Sequence, residues 1–246
     1  MNMNPEGSCT SLAPLRDSPG AALLPCGGGS RRPGHWLVRQ ADVCLFAALL
    51  LVFNTPGDWT AGPLRWGFHL DAVRAGEVWR VFTHPFAHVS LYHVLLDGFA
   101  FLGLLPLLGS RGPLARMGLA FGCLAGALAG AVVAGPVELG YTGLSGAAHG
   151  LFALACLDLH RQGSPEAAWG LVILLGKCVL ELLTGGAVLA SLHAGDVGIP
   201  VVAGHAGGVL AGAVCQMINR VHHTKASPGS WFAPCRSPRP RGAAGR

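Results

Sequence analysis

Charged side chains are scarce in this sequence. Only 12% of its 246 residues are Asp, Glu, Lys or Arg, about half the share that is usual in a soluble globular domain. By contrast, 51% of the residues are hydrophobic, and the mean hydropathy is +0.48. The composition therefore excludes an ordinary soluble domain and predicts a membrane protein, an interpretation that the 37 glycines support because glycine lets helices approach closely in lipid.

Two motifs are also missing. The eight cysteines form no CxxC pair, and those inside apolar stretches should behave as small hydrophobic side chains, so a disulfide framework is not expected. Residues 1–35 contain no long apolar run and therefore lack the core of a secretory signal. We expect residues 1–35 and the basic residues 223–246 to be disordered tails, because both are rich in Pro, Gly or Ser.

Six apolar segments between the tails predict an all-α membrane protein with a six-helix domain over residues 36–222. The segments are Trp36–Phe53, Leu91–Leu108, Leu114–Val133, Leu144–Leu157, Ala167–Leu183 and Val197–Ile218. A spanning helix needs about 20 residues, whereas the fourth segment would cover only about 21 Å of a hydrocarbon layer about 30 Å thick. Residues 135–143 are therefore expected to enter the membrane as irregular backbone lining a water-accessible pocket, with Ser145 at its floor.

Positive charges predict the orientation of these helices. Six Lys and Arg residues follow from Arg220 onward, and others precede the first segment, whereas the loops after the third and fifth segments contain none. The positive-inside rule then places both termini in the cytoplasm. Because the net charge of +5 is carried mainly by the tails and loop ends, we expect no nucleic-acid partner.

A serine and a histidine at predicted membrane depth indicate hydrolytic chemistry. Ser145 lies within Gly143-Leu144-Ser145-Gly146, and His205 lies in the sixth segment. A serine hydroxyl becomes a good nucleophile when an adjacent base accepts its proton. Either residue alone is weak support, since serine often packs between membrane helices and a lone histidine is often structural. Gly208 and Gly212 form a GxxxG motif that predicts close packing of the histidine helix and would bring His205 near the serine helix.

Other polar residues recur four apart and therefore share a helical face. His149 offers an alternative base on the serine's own helix, although parallel Cβ directions make that geometry poor. Lys177 and Glu181 most simply form an ion pair within one helix, or they recognise a polar segment or chain end of a substrate. His84 and His88 are interpreted as structural hydrogen-bonding residues, although with His93 they superficially resemble metal ligands.

Four patterns in this order resemble the rhomboid family of intramembrane serine proteases. They are Glu77-Val78-Trp79-Arg80, the histidine-rich stretch from His84 to His93, Gly143–Gly146, and His205 followed by Gly208 and Gly212. The resemblance covers about Ala75–Ala213. It implies a six-span fold, a serine endopeptidase of the lipid bilayer with a transmembrane protein as substrate, and no cofactor or metal.

Within that family the chain is most similar to the rhombosortases, a bacterial branch associated with processing proteins that bear a C-terminal sorting tail. The pointers are the extended stretch Gly143–Gly150 and the pattern Gly176-Lys177 with Glu181. This resemblance implies a bacterial inner membrane.

Carried over to this sequence, the resemblance makes Ser145 the nucleophile and His205 its general base. It assigns His93 to the oxyanion site, together with the backbone N–H of Ser145. The family has an asparagine where this chain has Asp97. Asp97 either is a neutral acid that donates a hydrogen bond, or it pairs with His93 or Lys177 and leaves oxyanion stabilisation to other groups. Trp79 and Arg80 are expected to anchor the first loop.

Two other classes of function remain open. The departure at Asp97 would suit a catalytically inactive rhomboid-fold protein that binds membrane clients, although Ser145 and His205 are both present. The intramembrane histidines would suit a metal- or haem-binding transporter, which would have no need of Ser145.

Overall fold

The structure, a computed structural model, describes residues 38–55, 57, 59–108, 111–134, 140–188 and 194–225, with side chains up to residue 219. In chain order its helices are α1 (Ala41–Phe53), α2 (Ala61–Trp66), α3 (Leu70–Arg74), α4 (Arg80–Thr83), a 3₁₀ turn (His84–Phe86), α5 (Leu91–Leu107), α6 (Pro113–Ala134), α7 (Ser145–Arg161), α8 (Pro165–Thr184) and α9 (Val202–Lys225). Almost all of the two predicted tails lies outside these residues, although α9 continues to Lys225.

The predicted all-helical class is confirmed, and each of the six apolar segments overlaps one helix of at least 13 residues. By length and composition α6 and α8 each suffice to cross a bilayer. The stretch Arg80–Phe86 together with α5 adds a third candidate span, bent by 96° at its break. The apolar α1, with 13 residues, is shorter than a full span.

Sequence signals set several helix ends. Proline stands at the first position of α6 and of α8, where its missing N–H costs no hydrogen bond. Ser90 caps α5, its hydroxyl accepting a hydrogen bond from the N–H of His93 at 3.0 Å. Gly185 ends α8 in the left-handed conformation with a φ of 69°, which glycine adopts without steric cost.

Helix α7 has 17 residues, about 26 Å of rise, so the predicted end at Leu157 is four residues too early. Its last turn carries Asp158, which accepts hydrogen bonds from Arg111 and from Gln216 on α9. These partners stabilise a polar last turn that the apolar pattern alone did not include. The helix remains short for a span, as the sequence predicted.

Helix α9 packs most extensively on α6 and α7, and glycines make these contacts close. A Cβ on Gly208 would overlap the carbonyl oxygen of Gly146 on α7, and one on Gly212 would overlap that of Gly150. Gly207 lies in the same way against Gly126 of α6. The predicted close packing of the GxxxG motif is thus confirmed, and it brings the backbones of the histidine and serine helices into direct contact.

A buried ion pair that the sequence did not predict connects α1 and α6. The guanidinium of Arg116 donates to both carboxylate oxygens of Asp42, at 2.6 and 2.7 Å. Asp42 is fully buried and Arg116 nearly so. Removal of one partner would leave an uncompensated buried charge, so the pair fixes α1 against α6.

The first loop is attached to the backbone that precedes α7. Arg80 donates to the carbonyl oxygens of Leu64 and Gly67 at 2.7 and 2.9 Å, in line with the predicted anchoring role. The adjacent Phe68 exchanges two backbone hydrogen bonds of 2.9 Å with Tyr141. Residues 140–143 are non-helical and fixed by these hydrogen bonds, in agreement with the prediction of irregular backbone over residues 135–143; residues 135–139 lie outside the described residues.

Candidate active site

Ser145 is the first residue of α7, where backbone N–H groups lack intrahelical partners. The carboxylate Oδ2 of Asp97 accepts two of them, from Leu144 at 2.8 Å and from Ser145 at 3.0 Å. Gly143 turns the chain into the helix with a φ of 92°, and a Cβ there would lie 2.8 Å from Asp97 and 3.0 Å from His93. Glycine is therefore required at this position both for its backbone conformation and for the space beside it.

The structure brings Ser145 and His205 together. The Oγ atom of Ser145 lies 3.1 Å from Nε2 of His205, within hydrogen-bond distance. The other ring nitrogen, Nδ1, lies 2.8 Å from Oε2 of Glu181 on α8. Three helices, α7, α9 and α8, thus supply a hydroxyl, an imidazole and a carboxylate in one line of contacts.

Glu181 is fully buried and receives hydrogen bonds from several directions. Its Oε1 accepts from Nζ of Lys177 at 2.5 Å and from the backbone N–H of Val188 at 3.1 Å. The ion pair predicted between Lys177 and Glu181 is present. The partnership of Glu181 with His205 was not predicted, because the two residues lie on different helices.

His149 does not contact the hydroxyl of Ser145. Its Nδ1 lies 2.7 Å from the carbonyl oxygen of Ser145, and its Nε2 lies 2.8 Å from Nζ of Lys177. A carbonyl can only accept, so Nδ1 carries the proton, and Nε2 accepts from the lysine. The ring stacks on His205 with centroids 4.2 Å apart. These contacts leave His149 no free nitrogen for the alternative dyad within α7.

Asp97 pairs with histidines rather than with Lys177. Its Oδ2 lies 3.3 Å from Nε2 of His93 and 3.5 Å from Nε2 of His88. His88 Nε2 and His93 Nδ1 are buried without a hydrogen-bond partner. Of the two roles left open for Asp97, the contacts match pairing with His93, and they add the capping of α7, which the sequence did not predict.

Two groups among the described residues have ligand atoms close enough together to hold a metal ion: His88 with His93 and Asp97, and His149 with Glu181 and His205. His84, which the sequence grouped with His88 and His93, is not among them. Its Nδ1 lies 3.1 Å from the carbonyl oxygen of Val81 and 3.2 Å from that of Arg80. These contacts agree with the interpretation of His84 as structural.

A cavity of about 530 Å³ opens over these side chains. Ser145 and His205 form part of its wall, together with His93, Asp97, His149, Lys177 and Glu181. Apolar residues from the segment that precedes α9, such as Val197 and Ile199, also line it. The site is therefore an accessible pocket lined by both polar and apolar side chains, with a volume in the range of ligand-binding cavities.

Comparison with known proteins agrees with this geometry. The family model described as the Rhomboid domain matches residues 75–221. Curated relatives include the rhomboid protease GlpG of Salmonella newport (strain SL254) and that of Salmonella heidelberg (strain SL476), each 42% identical over 66 residues. The matched region covers 26% of this chain and 22% of each relative, so it spans about a fifth of their length. The domain match covers more than half of the chain, and the protein belongs to the rhomboid family of membrane proteins.

Proposed function

We propose that this protein is an intramembrane serine endopeptidase that cleaves a transmembrane or membrane-anchored protein. The contact between Ser145 Oγ and His205 Nε2 is the observation that carries the proposal. Family membership supports the same reaction class, since the relatives matched are named rhomboid proteases. Activated serine hydroxyls beside an imidazole are typical of acyl transfer to and from peptides.

In the proposed reaction Ser145 Oγ attacks the scissile carbonyl carbon while His205 Nε2 accepts the hydroxyl proton. Collapse of the tetrahedral intermediate breaks the C–N bond, and His205 returns the proton to the departing amine. Water then attacks the acyl ester, again giving a proton to His205, and releases the acid with Ser145 restored. Each step balances without a cofactor or a metal.

Oxyanion stabilisation is proposed to come from His93, which lines the cavity beside Ser145. Hydrogen-bond donors aimed at the developing oxyanion contribute a few kcal/mol each, about 2.7–4 in the best-measured case. The backbone N–H of Ser145 already donates to Asp97, so it serves the oxyanion only if the carboxylate yields that contact. Asp97 is therefore proposed primarily as the residue that holds the nucleophile's turn.

A substrate with a C-terminal sorting tail is the finer proposal. It rests on the likeness of Gly143–Gly150 and of the Lys177 and Glu181 pattern to rhombosortases. The location of both Lys177 and Glu181 in the cavity wall supports it, since the pattern belongs to the site rather than to a distant surface. We propose the bacterial inner membrane with cytoplasmic termini, on the distribution of Lys and Arg.

The contact between Asp97 and the N–H of Ser145 also favours a second candidate, a catalytically inactive protein that binds membrane clients. An ionised carboxylate at that position would repel an oxyanion. In that case the cavity would bind a client helix and release it uncut.

Labelling with a fluorophosphonate in detergent micelles tests the proposal. Wild-type protein is expected to be labelled, Ser145→Ala not at all, and His205→Ala at least about 10³-fold more slowly because the hydroxyl loses its base. His149→Ala should label within about tenfold of wild type. Absence of wild-type labelling would favour the client-binding candidate, while loss in His149→Ala with retention in His205→Ala would favour the dyad within α7. Bound metal with labelling independent of Ser145 would point to a transporter.

A further inference from the structure

We infer that Glu181 is the third member of the catalytic group, a positioning residue that orients His205 and stabilises its protonated form. This inference rests on the proposed protease function and deepens it, because the family resemblance supplies only a serine and a histidine. Glu181 lies 24 residues before His205, on the neighbouring helix α8.

The contacts of Glu181 fix the tautomer of His205. Oε2 of the carboxylate lies 2.8 Å from Nδ1 of the imidazole, and Oε1 accepts from Lys177 and from the Val188 N–H. A carboxylate with a lysine and a backbone N–H as donors is ionised and acts only as an acceptor. Nδ1 of His205 must therefore carry the proton. Its Nε2 is left with a lone pair, which faces the hydroxyl of Ser145 at 3.1 Å.

The same carboxylate supports the charge that appears during the reaction. When His205 accepts the proton of Ser145 it becomes an imidazolium, and its Nδ1–H already points at Glu181. Glu181 is 0% exposed, so this attraction is weakly screened by water. Lys177 pairs with the same carboxylate and therefore weakens the attraction between Glu181 and the imidazolium. Because the lysine already balances the charge of Glu181, the carboxylate stays ionised while His205 is neutral before the reaction.

His205 is also held from its flat side. The ring of His149 stacks on it at 4.2 Å with an angle of 8° between the planes, and His149 itself is fixed by Lys177 and by the carbonyl oxygen of Ser145. The imidazole is thus constrained edge-on by Ser145 and Glu181 and face-on by His149. Such preorganisation lowers the cost of reaching a reactive geometry.

The test replaces Glu181 in the full-length protein and measures cleavage of a transmembrane peptide in proteoliposomes. Glu181→Gln preserves the shape of the side chain but removes the charge, so kcat is expected to fall about 10²–10⁴-fold, as in other triads. KM should stay within about threefold, because Glu181 acts through His205 rather than on the substrate. Glu181→Asp, which keeps the charge, should give a kcat between those of wild type and Glu181→Gln.

Glu166→Gln is the matched control. Glu166 lies on the same helix, is exposed, and contacts only Ser164 among the hydrogen bonds described. It should leave kcat, KM and the thermal unfolding temperature unchanged, which shows that loss of a carboxylate from α8 is harmless in itself.

A second background separates positioning from a structural role. If Glu181 acts through the imidazole, Glu181→Gln should not further slow the residual fluorophosphonate labelling of His205→Ala. Equal losses in both backgrounds would overturn the inference, as would a wild-type kcat in Glu181→Gln. If Glu181→Gln does not fold, Glu181→Asp decides the matter: kcat at least fivefold lower with unchanged KM supports the role, and unchanged kcat refutes it.

These outcomes are distinct from failure of the protease proposal. That failure would appear as no labelling of wild-type Ser145. An active, Ser145-dependent enzyme that is indifferent to Glu181 would instead remove the third residue and leave the proposed dyad.

Discussion

The two polar walls of the cavity differ in how completely their hydrogen bonds are formed. The base wall, made of His205, Glu181 and Lys177 on α8 and α9, has each charge matched by a partner. The α5 wall, made of His93 and Asp97 on α5, is contacted by the buried His88, and His88 and His93 each retain a buried ring nitrogen without a hydrogen-bond partner. The side proposed to transfer the proton therefore has its hydrogen bonds already formed, whereas the side proposed to face the oxyanion has buried ring nitrogens that are still available.

This difference indicates where the site must adjust when a peptide binds. Nothing on the base wall needs to move for Ser145 to lose its proton. On the α5 wall, Oδ2 of Asp97 already accepts the N–H of Ser145, and His93 lies against the same oxygen. Binding of a negatively charged oxygen there requires a rearrangement of contacts on this wall.

The largest expected effect comes from moving the base wall away from Ser145, the proposed nucleophile. Gly208→Val places side-chain atoms where α9 contacts the carbonyl oxygen of Gly146, so the helices must move apart. We expect activity to fall more than about 10³-fold, because misplacement by about 1 Å can already cost 10²-fold. Unfolding should also become easier, by about 1–3 kcal/mol or more. Cleavage assays and thermal unfolding measure both.

Gly118→Val is the control for that substitution. Gly118 also lies inside a helix, α6, but a Cβ there meets no atom within 4 Å. Because valine has a slightly higher helix propensity than glycine, the change should alter stability by only a few tenths of a kcal/mol, in favour of the variant, and should leave activity unchanged. Comparable losses in the two variants would show that close approach of α9 and α7 is not the cause.

A smaller effect is expected at Asp97, where two substitutions distinguish its role as a hydrogen-bond acceptor for α7 from the role of its charge. Asp97→Ala removes the acceptor for the N–H groups of Leu144 and Ser145, so we expect roughly 10²-fold lower kcat and about 1 kcal/mol lower stability. Asp97→Asn keeps an acceptor oxygen and adds a donor, so its activity should equal or exceed that of wild type. Equal loss in both variants would show that the acid itself is required.

The smallest effects should compare one supporting residue from each wall. Lys177→Met removes a donor from Glu181, which keeps His205 and the Val188 N–H, and we expect a decrease in kcat of about tenfold. His88→Asn alters the long 3.5 Å contact with Asp97 and the 3.1 Å contact of His88 Nδ1 with the carbonyl oxygen of Phe86. Neither contact involves Ser145 or His205, so the decrease should be about threefold or less. A larger effect at His88 than at Lys177 would reverse the comparison between the two walls.

Local patterns predicted the contacts made within one helix or at a helix surface. Lys177 with Glu181 and His93 with Asp97 are four residues apart, and that spacing alone places them together. Gly208 and Gly212 predicted a tightly packed face because small residues permit close approach. The six helices followed from hydropathy in the same way.

Contacts that depend on how helices are rotated against each other were not predicted. Glu181 reaches His205 only because α8 turns that face toward α9, and nothing in the spacing of the two residues indicates it. Arg116 and Asp42 pair across 74 residues, and each is a single charge inside an apolar segment, where hydropathy gives no sign of a partner. The end of α7 was wrong for a related reason, since its polar last turn depends on Arg111 and Gln216 from other parts of the chain.

The pair of backbone hydrogen bonds between Phe68 and Tyr141 connects the N-terminal end of α7, where Ser145 lies, to the first loop. Arg80 donates hydrogen bonds to Leu64 and Gly67, which precede Phe68, and Tyr141 lies four residues before Ser145, the proposed nucleophile. Replacing the first loop with that of a relative would consequently change contacts that help to position Ser145. Chimeras of this kind should work only when the stretch around Tyr141 is exchanged along with the loop.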